Sequence, residues 1–312
     1  MPDFPKMDRR AFIVFAAALL AGCRPRSSGT TVGSKNFTEQ LILGELLAQY
    51  LEPVAAHGVD RRFYLAGSYI CHQALLAGRI DMYVEYTGTA LSAILKEKPL
   101  SDHAQVYELV KREYTRRFGL EVMPPLGFDN SFAMVIRGDD ARRMGITRLS
   151  QLARFAPKMR LGVGFEFLER PDGYQGLAAR YGLKFAESPR VMDLGLLYRA
   201  LESHQVDIVA GSNTDGLIAA LGLVVLEDDL HYFPPYDAVP IVRPDCLYRS
   251  PGIAGALQRL GGRISADDMR HMNYAVDGEK RDAAAVAKGF LQDKNLHANA
   301  KANKRGWRLV IS

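Results

Sequence analysis

The sequence lacks the features that several protein classes require. Its 312 residues contain three cysteines and one tryptophan, so a small disulfide scaffold is excluded. Hydrophobic residues make up 48% and charged residues 24%, which is typical of a globular chain and not of a disordered or collagenous one. The 40 Lys and Arg exceed the 35 Asp and Glu only slightly and form no basic run, so we expect no nucleic-acid partner. The length indicates about two domains.

Patterns for catalysis and for metal binding are also missing. The seven histidines are scattered without the paired spacing that zinc hydrolases use. Gly162 and Gly164 begin a dinucleotide-like pattern, but Phe167 stands where the third glycine belongs. The chain has neither a nucleophile-elbow serine nor a phosphate-loop lysine. We therefore expect no enzyme activity, no metal and no cofactor.

The N-terminal segment has the pattern of an export signal. Three basic residues among the first ten precede an uncharged run that is shorter than the roughly 20 residues of a membrane-spanning helix, so residues 1–22 are predicted to be a signal peptide. The segment Leu-Ala-Gly-Cys ending at Cys23 resembles a bacterial lipobox, in which the cysteine is lipidated. An ordinary secretory peptide with a chance cysteine is the alternative, and Arg9-Arg10 leaves both the general secretory (Sec) and the twin-arginine route open. We expect a chain anchored by lipid to the membrane, in the periplasm or on the extracytoplasmic face, with residues 23–29 as a tether.

From Thr30 onward, short apolar runs alternate with helical patterns, which favours an α/β fold with largely parallel sheets. Asn36 and Glu39 form a possible capping box for a helix through Leu51. Ser265 and Asp268 do the same for a later helix. Strand-like runs cover residues 31–34, 80–85, 132–136, 160–163, 206–210, 223–226 and 239–242. Since no flexible linker separates the two expected domains, crossing strands would join them, with a ligand in the cleft.

The remaining cysteines, Cys71 and Cys246, allow two interpretations. An exported protein meets an oxidising compartment, where the two thiols can pair. Alternatively, both side chains are small buried hydrophobes. The sequence leaves both open.

Several segments carry a resemblance to one known family. The main ones are GSKNFTEQLILGELLAQYLE at 33–52, EYTGTAL at 85–91, and the paired aspartates before FPPYDAVPIVR at 233–243. Further matches are GFDNSFAMVIR at 127–137, ERPDG at 169–173 and NTDG at 213–216. They are similar to the osmoprotectant-binding proteins of ABC importers, which capture glycine betaine, choline, carnitine and related quaternary amines. The segments follow the family's order and cover essentially all of residues 31–296.

The resemblance implies a type II periplasmic binding protein fold, with two α/β lobes joined by crossing hinge segments and the ligand in the cleft. Lobe 1 would comprise residues 30–128 plus 240–312, and lobe 2 residues 129–239. The lobes would close around the ligand by a hinge motion. The implied partners are a small quaternary amine, an ABC permease and its ATPase. An exported enzyme acting on a small zwitterion is an alternative from another class.

The family binds methylated ammonium groups on aromatic faces, because such cations donate no strong hydrogen bond. By resemblance, Tyr86 and Tyr236 are cage walls, and Phe132 keeps a ring face without the hydroxyl. Ser212, followed by Asn213, replaces the fourth wall and adds hydrogen-bonding groups. A larger zwitterion such as carnitine or ergothioneine is therefore the alternative to glycine betaine.

A betaine also carries a carboxylate, which needs charge-assisted donors. The family's carboxylate contacts correspond to Lys35, Thr89 and Arg170, which favours a zwitterion over choline. Asn130 would line the cage through its backbone carbonyl. On this assignment, Arg170→Ala is expected to abolish binding and to leave thermal unfolding nearly unchanged.

Overall fold

Two five-stranded sheets form the framework of the protein, which a computed structural model describes over residues 29–98 and 100–298. The predictions for the signal peptide and Cys23 lie outside the described residues. The strands are β1 Thr30–Gly33, β2 Val59–Arg62, β3 Met82–Tyr86, β4 Glu121–Val122, β5 Phe132–Arg137, β6 Leu161–Val163, β7 Arg190–Val191, β8 Ile208–Ser212, β9 Leu223–Leu226 and β10 Ala238–Val242. The first sheet has the order β2-β1-β3-β10-β4 and the second β7-β6-β8-β5-β9.

Helices cover both sheets, as an α/β fold requires. They are α1 Thr38–Leu51, α2 Ser68–Leu76, α3 Thr87–Thr89, α4 His103–Phe118, α5 Gly138–Met144, α6 Phe165–Glu169, α7 Tyr174–Tyr181, α8 Leu197–Glu202, α9 Leu217–Ala220, α10 Pro244–Arg249, α11 Gly252–Leu260, α12 Ala266–Asp277 and α13 Ala283–Asp293. A π-helical turn, Ala90–Ile94, continues α3. Over residues 29–98 and 100–298, no helix combines the length and the apolar character needed to cross a bilayer.

Both sheets are mixed, which corrects the expectation of largely parallel sheets. Strands β1, β2 and β3 are parallel, as are β6, β7 and β8. In contrast, β10 runs antiparallel to β3 and β4, and β5 runs antiparallel to β8 and β9. β5 and β10 are the strands that enter directly from the other sheet. No crossover helix precedes them to reverse the chain, as a parallel neighbour would need.

The two crossing segments lie side by side and bond to each other. The chain leaves the first sheet after β4 and returns to it between β9 and β10. Asp129 and Asp237 form an antiparallel bridge between the two crossings. The Leu126 N–H donates to the Ala238 carbonyl at 2.8 Å, and the Ala238 N–H donates to the Phe128 carbonyl at 3.1 Å. The protein therefore consists of two α/β lobes joined by a short ribbon of crossing strands.

Helix α1 shows one correct and one wrong prediction. Its end at Leu51 is as predicted, and its apolar residues are buried in the core of the first lobe. The predicted capping box is wrong, because Phe37 is the N-cap residue and no side chain caps the helix. The Glu39 carboxylate instead turns toward the cleft. The second predicted box is present, since the Ser265 hydroxyl and the Asp268 carboxylate each accept the other residue's backbone N–H.

Both described thiols are free and buried. Cys71 and Cys246 lie in separate parts of the first lobe's core. Burial raises the pKa of Cys71 to about 12 and that of Cys246 to about 11, so both stay protonated at neutral pH. Of the two interpretations, the buried small hydrophobe is the one that the structure shows.

Candidate functional site

The predicted site residues converge between the lobes at the ends of strands. Lys35 follows β1, Tyr86 ends β3, and Thr89 lies just beyond it. Because β1 and β3 are parallel neighbours, their carboxyl ends lie at one edge of the sheet, where ligands of open α/β sheets bind. Arg170 approaches from the second lobe and Tyr236 from the returning crossing. All five residues are at most 5% exposed, so the lobes are closed on each other.

Arg170 is the centre of one cluster, which also contains a residue that the sequence did not predict. Its guanidinium holds Asp172 through two bonds, one of them from Nε to Oδ1 at 2.8 Å. Its Nη1 donates to the Thr89 hydroxyl across the cleft at 2.9 Å. Tyr236 donates its hydroxyl to the same Asp172 carboxylate at 2.5 Å. The structure thus brings Thr89, Arg170 and Tyr236 together.

The charges of this cluster support each other. Burial opposes both charged forms, yet the Asp172 carboxylate raises the pKa of Arg170 above its usual value. Likewise, burial tends to raise the pKa of Asp172, but the guanidinium outweighs it and the pKa is lowered. Three of the guanidinium's five N–H donors are used in the described contacts, so two remain. The Thr89 hydroxyl accepts from Arg170 and keeps its own proton to donate. The cluster can therefore bind a ligand carboxylate.

The three predicted aromatic walls belong to one packed cluster, in which the rings of Phe132 and Tyr236 are in direct contact. The ring centroids of Phe132 and Tyr236 are 5.6 Å apart. The Arg170 guanidinium lies 4.9 Å from the Phe132 centroid and 5.5 Å from that of Tyr236. Lys35 Nζ lies 4.6 Å from the centroid of Tyr86. Each predicted wall thus has a cation of the protein at its face, which is the contact a ligand ammonium would make.

Lys35 has a partner of its own in the structure. Its ammonium group forms a buried ion pair with Glu85 and donates to the Ser68 hydroxyl at 3.0 Å. No contact to Arg170 or Thr89 appears among the described interactions of Lys35. Glu85 neutralises the charge of Lys35 in this structure. The role of Lys35 in carboxylate binding stays a prediction.

The second cluster surrounds Glu39, which the sequence suggested only as a helix cap. Tyr86 donates its hydroxyl to Glu39 Oε1 at 2.6 Å, and the Asn130 side-chain amide donates to the same oxygen. Thr214 and Asn273 donate to Oε2 at 2.5 and 3.0 Å. These donors come from both lobes and from the crossing. A signal for this role was present, since an acidic residue in the first turn of a helix beside a ligand cleft has alternatives to capping.

Ser212 and Asn213, the residues at the expected fourth wall, have different surroundings. The Ser212 hydroxyl donates to Asn130 Oδ1 at 2.5 Å and lies 2.9 Å from the Thr214 hydroxyl, so it joins the Glu39 cluster. Asn130 thus uses its side chain here, whereas the resemblance implies its backbone carbonyl. Asn213 follows β8 and lies beside the first crossing, where its N–H donates to the Ser131 carbonyl at 3.0 Å. Within the described residues, the buried Asn213 Oδ1 has no hydrogen-bond partner.

A further group of polar side chains, which the sequence did not predict, lies where the start of α4 meets the ribbon. His103 Nδ1 is 2.9 Å from Asp237 Oδ2, and Asp129 completes the group with donor atoms within 4.8 Å of one another. Burial raises the pKa of Asp129, and the negative charge of Asp237 adds to this effect. The hydrogen bond from the Tyr236 N–H lowers the pKa but does not outweigh them. Such a set matches the ligand types of a divalent cation, but its carboxylates already accept protein hydrogen bonds.

Comparisons with known proteins agree with this geometry. Residues 30–293 match the family model described as the substrate binding domain of ABC-type glycine betaine transport system. The ergothioneine transport permease/ergothioneine binding protein EgtU of Helicobacter pylori is 35% identical over 93% of this chain. The chain spans only 54% of the length of that relative. The glycine-betaine-binding protein of Pseudomonas aeruginosa is 32% identical over 95% of this chain and 98% of the relative.

A solved structure supports the fold in the same way. The crystal structure of a glycine betaine/carnitine/choline ABC transporter protein superposes with a TM-score of 0.71 at 31% identity. The match covers 86% of this chain and 99% of that chain. The two mixed sheets joined by crossing strands are therefore the type II periplasmic binding protein fold.

Proposed function

Since the chain belongs to the family of substrate-binding domains of ABC-type glycine betaine transport systems, we propose that it captures a quaternary-ammonium zwitterion of the betaine type and delivers it to an ABC permease. A zwitterion has two ends with different needs. Its carboxylate requires charge-assisted donors, and its methylated ammonium requires aromatic faces or a counter-charge. The two clusters between the lobes offer these separately.

The observation that carries the proposal is the Arg170 cluster. Arg170 and Thr89 retain free donors in a closed and buried cleft, beside the rings of Phe132 and Tyr236. Choline would leave these donors without an acceptor, and a buried donor without an acceptor costs about 1–3 kcal/mol. The cluster therefore favours a ligand with a carboxylate.

A larger zwitterion, such as carnitine or ergothioneine, is the second candidate. The specific observation is the polar wall at Ser212, whose hydroxyl donates to Asn130 and lies beside the Thr214 hydroxyl. By the family resemblance, an aromatic ring is expected at this position. A ligand with its own hydroxyl or ring nitrogen can bond to this wall. The Helicobacter pylori relative is an ergothioneine binding protein, which supports including that ligand in the test.

Isothermal titration calorimetry of the purified chain against glycine betaine, proline betaine, carnitine, ergothioneine and choline tests both candidates. We expect one-to-one binding of at least one zwitterion. Thr89→Val should weaken binding of that ligand by about tenfold, because a hydrogen bond to its carboxylate is lost, and should not weaken binding of choline, which has no acceptor for this donor. Thr115→Val, an exposed threonine in α4, is the matched control. Choline binding tighter than every zwitterion, or no binding at all, would contradict the proposal.

We further propose that Cys23 anchors the chain to the membrane through lipid, and that an ATPase drives the permease. The N-terminal sequence supports the anchor, since a lipobox-like segment follows a short apolar run. Because a single acyl chain binds a membrane only marginally, the anchor needs more than one chain. Cys23→Ser should prevent incorporation of labelled fatty acid. Equal labelling of the wild type and the variant would reject the anchor.

A further inference from the structure

Glu39 is a buried carboxylate whose hydrogen-bonding capacity is already filled. The side chain lies in the first turn of α1, and the residue is 2% exposed. Oε1 accepts from Tyr86 and Asn130, and Oε2 accepts from Thr214 and Asn273. A carboxylate offers about four lone-pair sites, so four donors occupy all of them and leave no place for a proton. The arrangement is that of an ionised group.

Glu39 has no cation partner among the described residues, unlike Glu85 and Asp172 of the same cleft. Lys35 pairs with Glu85, and Arg170 pairs with Asp172. Glu39 forms no salt bridge with any residue in the described ranges 29–98 and 100–298. Buried charges in proteins are ordinarily paired, because the loss of hydration is costly. The N-terminus of α1 offsets part of this cost, but Glu39 still has no ionic partner in the part of the chain that the structure describes.

The charge acts on groups on both sides of the cleft. Burial and then the charge of Glu39 raise the pKa of the Tyr86 hydroxyl, which therefore stays protonated and donates to the carboxylate. Burial is also the main reason that the pKa of Asp215, in the second lobe, rises to about 7, and Glu39 adds to it. A phenol that donates to a carboxylate has a more electron-rich ring, which is a better partner for a cation.

Resting on the proposed function, we propose that Glu39 is the counter-ion of the ligand's quaternary ammonium and acts through space and through the ring of Tyr86. A quaternary ammonium has no N–H to donate, so it loses nothing when the carboxylate is already saturated. A primary amine would have to displace one of the four donors to bond with it. Glu39 is thus a specificity-determining residue that favours a methylated ammonium.

The test uses two ligands that differ in one atom. Glycine betaine carries a trimethylammonium group. The anion 3,3-dimethylbutanoate, here called tert-butylacetate, has carbon in place of the nitrogen, so it retains the shape and the carboxylate but lacks the positive charge. Competition calorimetry gives the preference for glycine betaine in the wild type, in Glu39→Gln and in Glu45→Gln. Glu45 is the control, because it lies on the same helix but is paired with Arg61.

We expect Glu39→Gln to reduce the preference for glycine betaine by about tenfold or more, since the charge of a buried carboxylate is poorly screened by solvent. Binding of tert-butylacetate should stay within about twofold, and Glu45→Gln should keep the full preference. An unchanged preference in Glu39→Gln would overturn the proposal. Equal losses for both ligands would also overturn it, since they assign Glu39 to lobe closure alone.

Two further outcomes are separated by the design. A wild-type chain that binds none of the zwitterions contradicts the proposed function itself, and the counter-ion with it. If a zwitterion other than glycine betaine binds most tightly, the comparison uses that ligand and its carbon analogue. If Glu39→Gln does not fold, Tyr86→Phe keeps the ring and removes its bond to the carboxylate. This variant should reduce the preference by about two- to threefold, because the ring loses the carboxylate's influence on its face. No reduction in Tyr86→Phe would then overturn the proposal.

Discussion

The pairing of Arg170 with Asp172 shows how binding and stability are joined in single side chains. The two side chains are 5% and 1% exposed, and their fork-to-fork contact satisfies Asp172 together with the Tyr236 hydroxyl. Breaking a buried pair from one side leaves the other charge without compensation. The expectation that Arg170→Ala leaves unfolding unchanged is therefore replaced by a different one.

Arg170→Ala should lower the free energy of unfolding by about 3–5 kcal/mol, because Asp172 stays buried without its cation. Urea unfolding followed by circular dichroism measures the change. Adding Asp172→Asn to Arg170→Ala should restore much of the loss, since the amide is neutral. Arg142→Ala is the control, because Arg142 and its partner Asp139 are both largely exposed, and it should change stability by less than about 0.5 kcal/mol. Wild-type stability in Arg170→Ala would mean that the closed cleft is not the resting form.

At the residue scale, the sequence predicted which residues line the site better than it predicted their hydrogen-bond partners. Thr89, Arg170, Phe132 and Tyr236 were predicted and lie together. Asp172 was missed, although it is two residues from Arg170, because an acidic residue beside a loop arginine is usually a surface charge. The sequence also cannot tell whether an acidic side chain in the first turn of a helix caps that helix or faces a cleft.

Helix α2 is an element whose start depends on the opposite lobe. Its N-cap residue is Gly67, which has no side chain to cap the helix. Glu166, in the first turn of α6, accepts the Ser68 N–H at 2.9 Å instead. A carboxylate at a helix N-terminus satisfies an otherwise unpaired donor and interacts favourably with the helix dipole. Closure of the lobes thus supplies the missing cap.

Gly67→Ala should weaken ligand binding by about fivefold, which corresponds to the loss of a cap worth about 1 kcal/mol. An added Cβ would lie 2.2 Å from Glu166 Oε1, so the closed form must shift its carboxylate away. Calorimetry with the tightest ligand measures the effect. Gly289→Ala is the matched control, because a Cβ there meets no atom within 4 Å, and its affinity should equal that of the wild type. Equal affinities of both variants would show that the lobes do not meet here in the complex.

At the element scale, long periodic segments were predictable and short ones were not. The helix at Thr38–Leu51 ends at the predicted residue and starts within about two residues of its predicted cap. Strand β2 was missed because three of its four residues are exposed and polar, so it has no apolar pattern. The direction of β5 and β10 was not predictable either, since it depends on which lobe each strand comes from.

For the whole molecule, contacts within the ribbon of crossing strands differ from contacts across the cleft in whether they persist when the lobes open. Bonds within the ribbon, such as those of Leu126 and Ala238, join segments that stay neighbours in any opening of the lobes. Contacts across the cleft, such as Glu166 to Ser68 and Arg170 to Thr89, must break when the lobes separate. Hinge motion is the general mode of closure for proteins of this fold.

Hydrogen exchange should therefore separate these two classes of amide. The Ser68 amide donates only to Glu166 on the other lobe, so ligand binding should slow its exchange by about tenfold or more as the closed form becomes dominant. The Leu126 and Ala238 amides should exchange slowly with and without ligand, because the ribbon holds them in both forms. Exchange measured by NMR at single amides, with glycine betaine or the tightest ligand of the panel, gives both rates in one sample. Equal protection of Ser68 in the two states would mean that the ligand does not act through closure, and ligand-dependent exchange of Leu126 would place the bending within the ribbon itself.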